Sequence, residues 1–233
     1  MIPEKSQNYD LPNSYENIEQ TLITADQILS DAVQNAKTLF HSPTISSLED
    51  SKIVSRVMVL REFDLKKRFI ALCPDAEFGP AKRWPTIKWL ELAESIQNDF
   101  QVVFIGLDNS MNQDIMKLNN NNLLNLIGKT SLDEVLKILQ QASCVVANDS
   151  GLMHIAAAAG APTLGLFGPS REAHYAPWGS HTAVVRTARD YDELVGGPDY
   201  DHRTVGSLMV SLSVDMAEAG ARELWGRVLR KSR

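Results

Sequence analysis

From Arg68 onward, short runs of consecutive apolar residues alternate with longer segments in which apolar residues recur every three or four positions. The short runs are typical of strands buried on both faces, and the longer segments are typical of helices that pack on such strands. The predicted strands are RFIALC, FQVVFIG, LLNLIG, CVVAND and PTLGLFG, and the helices between them are TIKWLELAESIQND, MNQDIMKLN, SLDEVLKILQQA and GLMHIAAAAG. This succession predicts an α/β fold with a Rossmann-like, doubly wound parallel sheet.

The two ends of the chain have other patterns. Between Ile18 and Leu39, apolar residues recur in steps of three and four, which predicts one amphipathic helix with a narrow apolar stripe. A second helix is expected to end at about Phe63, before the basic turn DLKKR. At the other end, VDMAEAGARELWGRVLRK predicts a closing helix, and DYDELVGGPDYDH before it predicts an exposed loop.

We therefore divide the chain into a helical extension, residues 1–64, and a Rossmann-like α/β domain, residues 65–233. The stripe of the helix over residues 18–39 must cover another surface, for which two alternatives stand. It packs on the chain's own body, or it associates with a partner as a coiled coil. A length of only about three heptads favours the first alternative.

Composition and charge exclude several classes of protein. The net charge of −6 and the pI of about 5.4 argue against a nucleic-acid-binding or polybasic membrane-binding protein, since both need a clustered positive surface. Cys73 and Cys144 lie far apart in apolar strand-like runs, which is typical of reduced core thiols and favours the cytoplasm. No apolar run approaches the length that spans a bilayer, and MIPEKSQNYD lacks the regions of a signal peptide.

The loop after the first predicted strand, PDAEFGPAKRWP over residues 74–85, is long for a strand-to-helix connection and contains Lys82 and Arg83 just before a helix. A lysine at this place can reach a phosphate as a compact point charge. The alternative is that both cations are solvated surface charges and that Trp84 anchors the loop in the core.

The segment after the fourth strand contains Asp149, Ser150 and His154 at the start of an alanine-rich helix. Ser150 is placed as the N-cap, and Gly151 and Leu152 supply backbone N–H groups at the positive end of the helix dipole, where anions bind readily. The alternative is that Ser150 only caps the helix, Asp149 complements its dipole and His154 is a histidine without a role in binding.

Two other loops end strands at the same edge. FGPSREAHYAPWG follows the fifth strand, and its aromatic residues form one wall of a pocket or pack over the sheet edge. Asp108 follows the second strand, where a carboxylate can accept hydrogen bonds from ribose hydroxyls; a plain turn explains it equally well. The two DYD sequences with His202 can form a metal site, but acidic loops are more often simply solvated.

Several common catalytic motifs are absent from the sequence. It has no Walker loop, no G-x-G-x-x-G after the first strand, no G-x-S-x-G elbow and no zinc-type spacing of cysteine and histidine. Nucleoside triphosphatases, dehydrogenases and serine hydrolases of the usual kinds are therefore not favoured.

Taken together, the first two loops resemble one family. CPDAEFGPAKRWP followed by NDSGLMHIAAAAGAPTLGLFGPS closely resembles the carboxyl-terminal half of the bacterial heptosyltransferases of glycosyltransferase family 9, in particular the heptosyltransferase II group. The resemblance extends from about Leu65 to the last helix. It implies a GT-B architecture, in which two Rossmann-like domains face each other and the carboxyl-terminal one binds ADP-heptose.

The resemblance also implies roles for particular residues. Lys82 is expected to contact the donor diphosphate and stabilise it as leaving group. The phosphates are expected at Ser150, Gly151 and Leu152, with Asp149 and His154 shaping that site; Asp108 is the candidate for the ribose. The implied reaction is a metal-independent, inverting transfer of heptose to the lipopolysaccharide inner core, without a cofactor, by a cytoplasmic protein at the inner face of the inner membrane.

The sequence departs from the family pattern in two places. Residues 1–64 contain none of the strand, glycine loop and aspartate base with which the family's amino-terminal domain begins, so we expect the acceptor domain and the catalytic base to be missing. Asp75 stands where the family usually has glycine, a residue that reaches backbone angles less accessible to aspartate.

Two hypotheses follow. The chain is a heptosyltransferase-type enzyme, as a truncated copy or one half of a split protein, or it is a binding module that holds an ADP-sugar without transferring it. A sugar-nucleotide 2-epimerase of related architecture is a weaker third hypothesis, against which the AEFGPAKRWP loop argues.

Overall fold

The computed structural model describes residues 59–60, 62–66, 68–76, 79–118, 120–196, 200–201 and 204–231, with only the backbone of residues 229 and 231. The predicted helix over residues 18–39 and most of the second predicted helix lie outside these ranges. Val59, Leu60 and Glu62 have helical backbone, in agreement with the predicted end of the second helix. The compact unit that contains the sheet begins at Val59, whose side chain is buried in its core.

The described residues form six strands and seven α-helices. The strands are β1 Phe69–Cys73, β2 Gln101–Phe104, β3 Leu123–Asn125, β4 Cys144–Asn148, β5 Thr163–Phe167 and β6 Thr182–Arg186. The helices are α1 Thr86–Ile96, α2 Asn112–Lys117, α3 Leu132–Leu139, α4 Gly151–Ala158, α5 Glu172–Tyr175, α6 Tyr191–Val195 and α7 Val214–Lys231. Two 3-10 turns, Pro80–Lys82 and Asn109–Met111, precede α1 and α2.

The six strands form one parallel sheet in the order β3-β2-β1-β4-β5-β6. Ala71 at the centre of β1 pairs with Val103 of β2 on one side and with Val145 of β4 on the other. The chain moves outward from β1 to β3 and then returns to β4, so the connections leave β1 and β4 in opposite directions. In such a sheet the crevice beyond the carboxyl ends of these two strands is the usual ligand site.

Side chains of successive strand residues enter opposite faces of the sheet and build two cores. On one face Ile70 and Leu72 pack with buried residues of α1 and α7; on the other, Phe69, Ala71 and Cys73 pack with α3 and α4. Both faces are therefore covered, which explains why the strands read as continuous apolar runs rather than as alternating ones. The predicted Rossmann-like, doubly wound fold is confirmed for the described residues.

Two elements differ from the sequence-based expectations. The sheet has a sixth strand, β6, which we did not predict because its five residues are only half-buried at the sheet edge and give a weak apolar signal. The segment expected to be an exposed loop contains α6, which Asp190 and Glu193 start through a capping box of reciprocal side-chain-to-backbone hydrogen bonds. The D-x-x-E spacing of this capping box is present in the sequence, but the acidic composition of the segment favoured the interpretation as a solvated loop.

Cys73 and Cys144 are both buried and form no disulfide. Burial raises the pKa of both thiols, that of Cys144 to about 12, so both are neutral core side chains at neutral pH. The prediction of reduced core thiols is confirmed. Within the described ranges, no helix is both long enough and apolar enough to cross a bilayer.

The close packing of α7 on the sheet can be tested at two of its glycines. A Cβ at Gly220 would lie 2.6 Å from Val185 Cγ2, whereas a Cβ at Gly226 would meet only the Arg230 guanidinium, at 3.5 Å. We expect Gly226→Ala to raise the free energy of unfolding by up to ~1 kcal/mol through helix propensity. We expect Gly220→Ala to lower it by about 1–2 kcal/mol, because overpacking outweighs that gain. Urea denaturation of both variants measures the difference, and equal effects would contradict the packing.

Candidate functional site

The loop between β1 and α1 is held at both ends by one buried side chain. Asn148, the last residue of β4, is fully buried, and its Nδ2 donates to the Pro74 carbonyl oxygen at 2.6 Å. Its Oδ1 accepts a hydrogen bond from the Trp84 backbone N–H at 3.3 Å. Because Pro74 and Trp84 bracket the loop, this one amide fixes where the loop leaves the sheet and where it returns.

The middle of the same loop is held by the segment over residues 207–212. The Ser207 hydroxyl donates to the Arg83 carbonyl oxygen at 2.5 Å, and the Leu208 N–H donates to the Ala81 carbonyl oxygen at 3.0 Å. The Trp84 indole N–H donates to the Leu212 carbonyl oxygen at 3.0 Å. The Trp84 ring is buried and lies edge-on to Trp89, with 5.1 Å between ring centroids, so Trp84 does anchor the loop in the core.

Lys82 ends the 3-10 turn of this loop and points to the carboxyl end of β4. Its Nζ lies 2.6 Å from Asp149 Oδ2 and 5.5 Å from the centroid of the Tyr175 ring. The same Asp149 oxygen accepts a hydrogen bond from the Ser170 hydroxyl, also at 2.6 Å. Asp149 and Ser170 are both buried, so the ammonium group is held by a fixed carboxylate rather than moving freely in solvent.

The amino terminus of α4 lies directly after Asp149. Ser150 occupies the N-cap position, as predicted, but its side chain makes no capping hydrogen bond; its Oγ is buried and has no partner among the described residues. The expectation that Ser150 caps through its hydroxyl is therefore wrong, although its backbone is extended, as N-cap backbones usually are. A Cβ at Gly151 would meet no described atom within 4 Å, so the space beside this turn is open.

His154 lies on the exposed side of the first turn of α4. Leu152 is half-buried and turns toward the crevice with Ser150 and Gly151. The structure thus brings together four of the predicted binding residues at this helix terminus, namely Asp149, Ser150, Gly151 and Leu152.

Two charged residues, Arg83 and Asp108, connect the loops after β1 and β2. Arg83 donates through Nε to the Ala76 carbonyl oxygen at 3.2 Å and through a terminal nitrogen to Asp108 Oδ2 at 2.7 Å. The other oxygen of Asp108 accepts from the Ser110 N–H at 3.0 Å. The Ser110 hydrogen bond, with Arg83 in addition, holds the pKa of Asp108 below its usual range, so this carboxylate is ionised at neutral pH.

A cavity of about 660 Å³ lies beyond the carboxyl ends of β4, β1 and β2. Its lining includes Ser150 and Gly151 at the start of α4 and the apolar side chains of Leu107, Leu132 and Val135. Leu107 and Leu132 are largely exposed, which leaves apolar surface open to a ligand. The arrangement suits a ligand that is negatively charged at one end and has a flat apolar ring at the other.

The aromatic residues of the loop after β5 differ in position. Tyr175 stands beside the site with its ring under Lys82, whereas Trp178 is 92% exposed and packs neither on the sheet edge nor in the cavity. Asp190 caps α6 and Asp192 pairs with Arg171, so two carboxylates of the first DYD sequence have structural partners. Asp199 and His202 lie outside the described residues, and the described ones contain no group of three potential metal ligands.

Comparison with known proteins gives the family. The sequence profile of Glycosyltransferase family 9 (heptosyltransferase) matches residues 7–196. The chain belongs to glycosyltransferase family 9. The match begins at residue 7, so it includes most of the segment that we expected to be a helical extension.

Relatives in this family carry the name heptosyltransferase 2. Lipopolysaccharide heptosyltransferase 2 of Escherichia coli (strain K12) is 37% identical over 139 residues, which are 57% of this chain and 40% of that protein. Lipooligosaccharide heptosyltransferase 2 of Haemophilus influenzae is 38% identical over 128 residues, 52% of this chain and 37% of that protein. The match thus spans less than half the length of these curated relatives.

Solved structures agree with the family. The structure of E. coli ADP-heptose LPS heptosyltransferase II is 28% identical, with a TM-score of 0.64 over 76% of this chain and 52% of that one. A family 9 glycosyltransferase from Veillonella parvula, 21% identical, has a TM-score of 0.62 over 75% of this chain and 51% of that one. The latter supports the fold alone.

Some residues of the family 9 site could not be assigned from sequence. Asn148 and Ser170 lie next to the Asp149 segment and in the loop after β5, and a polar residue at the end of a buried strand can indicate a site residue. The contacts of Ser207 and Leu208 had no such signal, because their partners in the Lys82 loop are more than 120 residues away in the chain.

The role of Asn148 gives a prediction on stability. Asn148→Ala leaves the Pro74 carbonyl and the Trp84 N–H without their partner in a buried place, so we expect the free energy of unfolding to fall by roughly 2–4 kcal/mol. Asn120→Ala, at an exposed position whose side chain accepts one local hydrogen bond, is the matched control and is expected to cost less than about 1 kcal/mol. Urea denaturation followed by tryptophan fluorescence measures both; similar costs would contradict the bridging role.

Proposed function

We propose that the α/β domain binds ADP-heptose as glycosyl donor and that the chain takes part in heptosyl transfer to the lipopolysaccharide inner core. The observation that carries this proposal is the position of the Lys82 ammonium, held 2.6 Å from Asp149 at the open amino terminus of α4. Support for the donor also comes from the 28% identical E. coli protein, which is named ADP-heptose LPS heptosyltransferase II.

In this proposal the donor diphosphate lies against the first turn of α4. The N–H groups after Ser150 are the unpaired donors of that turn, and the helix dipole adds partial positive charge there. Lys82 supplies a full charge from the facing loop. Asp149 and Ser170 keep the ammonium in place, and Ser150, Gly151 and Leu152 form the floor on which the phosphates rest.

The nucleoside of the donor extends from this floor into the cavity. We place the base at the end of the cavity that the apolar side chains of Leu107, Leu132 and Val135 line. Asp108 and Arg83 stand at the same end and close its polar side. His154, on the exposed side of α4, is assigned to the edge of the phosphate site that faces solvent.

The chemistry follows from where charge develops. In an inverting displacement an acceptor hydroxyl attacks the anomeric carbon from the face opposite the leaving ADP, so negative charge grows on the diphosphate. Fixed donors that meet this charge lower the barrier, typically by a few kcal/mol for each donor. Lys82 and the α4 terminus provide such donors, which supports a transfer that needs no metal ion.

The acceptor side of the reaction is the second part of the proposal. A hydroxyl nucleophile needs a base, and we assign that base to an acceptor domain separate from the residues described here. The family match over residues 7–64 favours a remnant of that domain in this segment over an unrelated replacement. The alternative is a donor-binding module without transfer activity of its own.

Donor binding is tested by the loss of the Lys82 charge. We expect ADP-heptose and ADP to bind the purified chain, and Lys82→Ala to weaken both by roughly 10–100-fold, the effect of one charge-assisted hydrogen bond. Isothermal titration calorimetry measures the affinities, with EDTA present because no metal is required. Lys117→Ala, on the exposed side of α2, is the control and is expected to bind like the wild type. The proposed donor site would be contradicted if the wild type bound neither ligand, or if Lys82→Ala bound them as tightly as Lys117→Ala.

Transfer itself separates the enzyme from the module. With ADP-heptose and a lipopolysaccharide core acceptor, we expect the chain alone to release no ADP, because the base lies outside the donor site. Addition of a separately expressed amino-terminal half of a heptosyltransferase 2 is expected to restore release if the chain is half of a split enzyme. A coupled assay for ADP gives the readout, and release by the chain alone refutes the assignment of the base.

A further inference from the structure

We propose that the carboxylate of Asp75 accepts hydrogen bonds from the ribose hydroxyls of the bound donor and so makes this site selective for ribonucleotides. The inference rests on the proposed function, since it names a further residue of the same donor site. Its basis is the geometry of Asp75 at the sheet edge, which differs from that of the neighbouring Asp108.

Asp75 is held rigidly by the loop after β2. Its Oδ2 accepts hydrogen bonds from the backbone N–H groups of Leu107, at 2.5 Å, and Asp108, at 3.3 Å. The carboxylate lies flat against the backbone of Gly106, where a Cβ would be only 2.6–2.8 Å from its three terminal atoms. Two anchoring hydrogen bonds and the close approach to Gly106 leave the carboxylate one orientation.

The second oxygen of Asp75 remains available for a ligand. Asp75 lines the cavity and is half-buried, and its Oδ1 receives no hydrogen bond from any residue that the structure describes. Asp75 Oδ1 is also accessible to solvent, since it is not one of the buried polar atoms that lack a hydrogen-bond partner. An ionised carboxylate oxygen is an acceptor with no donor capacity, so a neutral ligand group that binds it must bring a hydrogen.

In contrast to Asp75, both carboxylate oxygens of Asp108 already accept hydrogen bonds. One of its oxygens accepts from the Ser110 N–H and the other from the Arg83 guanidinium. Both are engaged before a ligand arrives, and a ligand hydroxyl would have to compete with a charged donor at 2.7 Å. The Asp108 side chain is therefore suited to hold Arg83, and Asp75 is the better acceptor of the two.

The order of groups along the sheet edge places the ribose at Asp75. The phosphate floor follows β4, Asp75 follows β1, and Leu107 follows β2, in the order in which these strands lie side by side. Neighbouring strands are about 4.8 Å apart, which is close to the spacing of diphosphate, ribose and base in ADP. The ribose, the middle group of ADP, thus lies at the end of β1, the middle strand of the three. Its two neighbouring hydroxyls can donate hydrogen bonds to Asp75 Oδ1.

The test compares Asp75→Asn with the wild type for three ligands, ADP, 2′-deoxy-ADP and 3′-deoxy-ADP. The amide oxygen of asparagine can replace Oδ2 as acceptor for the Leu107 N–H, while its NH₂ turns a cavity-facing acceptor into a donor. In the wild type we expect at least one deoxy analogue to bind tenfold or more weakly than ADP. In Asp75→Asn we expect this preference to fall to about threefold or less, because the NH₂ can still donate to a hydroxyl oxygen but the stronger charge-assisted hydrogen bond is lost.

Two outcomes would overturn the inference. One is a preference for ADP over both deoxy analogues that persists undiminished in Asp75→Asn, and the other is its loss in Asp108→Asn instead. Wild-type protein that binds no ADP at all would refute the donor site itself, which is a different result. Thermal unfolding of each variant shows whether a change in affinity reflects loss of the fold.

A second pair of substitutions tests the contact with Gly106 independently. Gly106→Ala forces the Asp75 carboxylate out of its place, so we expect it to lower the melting temperature and remove the preference for ribose. In the background of Asp75→Gly the same Gly106→Ala change has no carboxylate to displace and is expected to leave the melting temperature unchanged. Equal destabilisation by Gly106→Ala in both backgrounds would contradict the geometry.

Discussion

The conformation of the Lys82 loop depends on the side-chain amide of Asn148. It ends the central strand β4 and joins the outgoing and returning ends of the loop after β1. A parallel sheet provides no backbone hydrogen bonds beyond its last paired residues, so a long loop at its edge needs a buried polar partner to have one conformation. Lys82 is placed by that loop, and the position of its ammonium beside Asp149 follows from the bridge.

The proposed donor site is not positively charged overall. Lys82 and Arg83 carry two positive charges, while Asp149, Asp108 and Asp75 carry three negative ones, in a chain whose net charge is −6. Attraction by net charge is therefore not the basis of affinity. Each carboxylate instead fixes a donor: Asp149 holds the ammonium, Asp108 holds the guanidinium, and Asp75 holds two N–H groups of the next loop. Binding then depends on directed donors in a prearranged geometry, which is selective for ligand shape as well as charge.

The sequence was sufficient for the fold and for the place of the site, and insufficient for its contacts. Buried parallel strands are continuous apolar runs, so five of the six strands were recognisable, while the half-buried edge strand β6 was not. The carboxyl ends of the strands are set by topology, which is why Lys82, Asp149 and Gly151 could be assigned to one site. Side-chain direction is decided by three-dimensional packing. The uncapped hydroxyl of Ser150 and the engaged oxygens of Asp108 could be seen only in the structure.

The late position of residues 207–212 in the chain affects when the Lys82 loop can fold during translation. The partners of this segment in the Lys82 loop precede it by as many as 128 residues, so the loop emerges from the ribosome long before the groups that hold it. At typical rates of translation this interval is roughly 6–25 s. During that time β1 to β5 can pair in order, but the loop lacks its hydrogen bonds with Ser207, Leu208 and Leu212. The Lys82 loop is thus among the last parts of the domain to acquire its native shape, and a nascent chain can have a folded sheet before this loop is fixed.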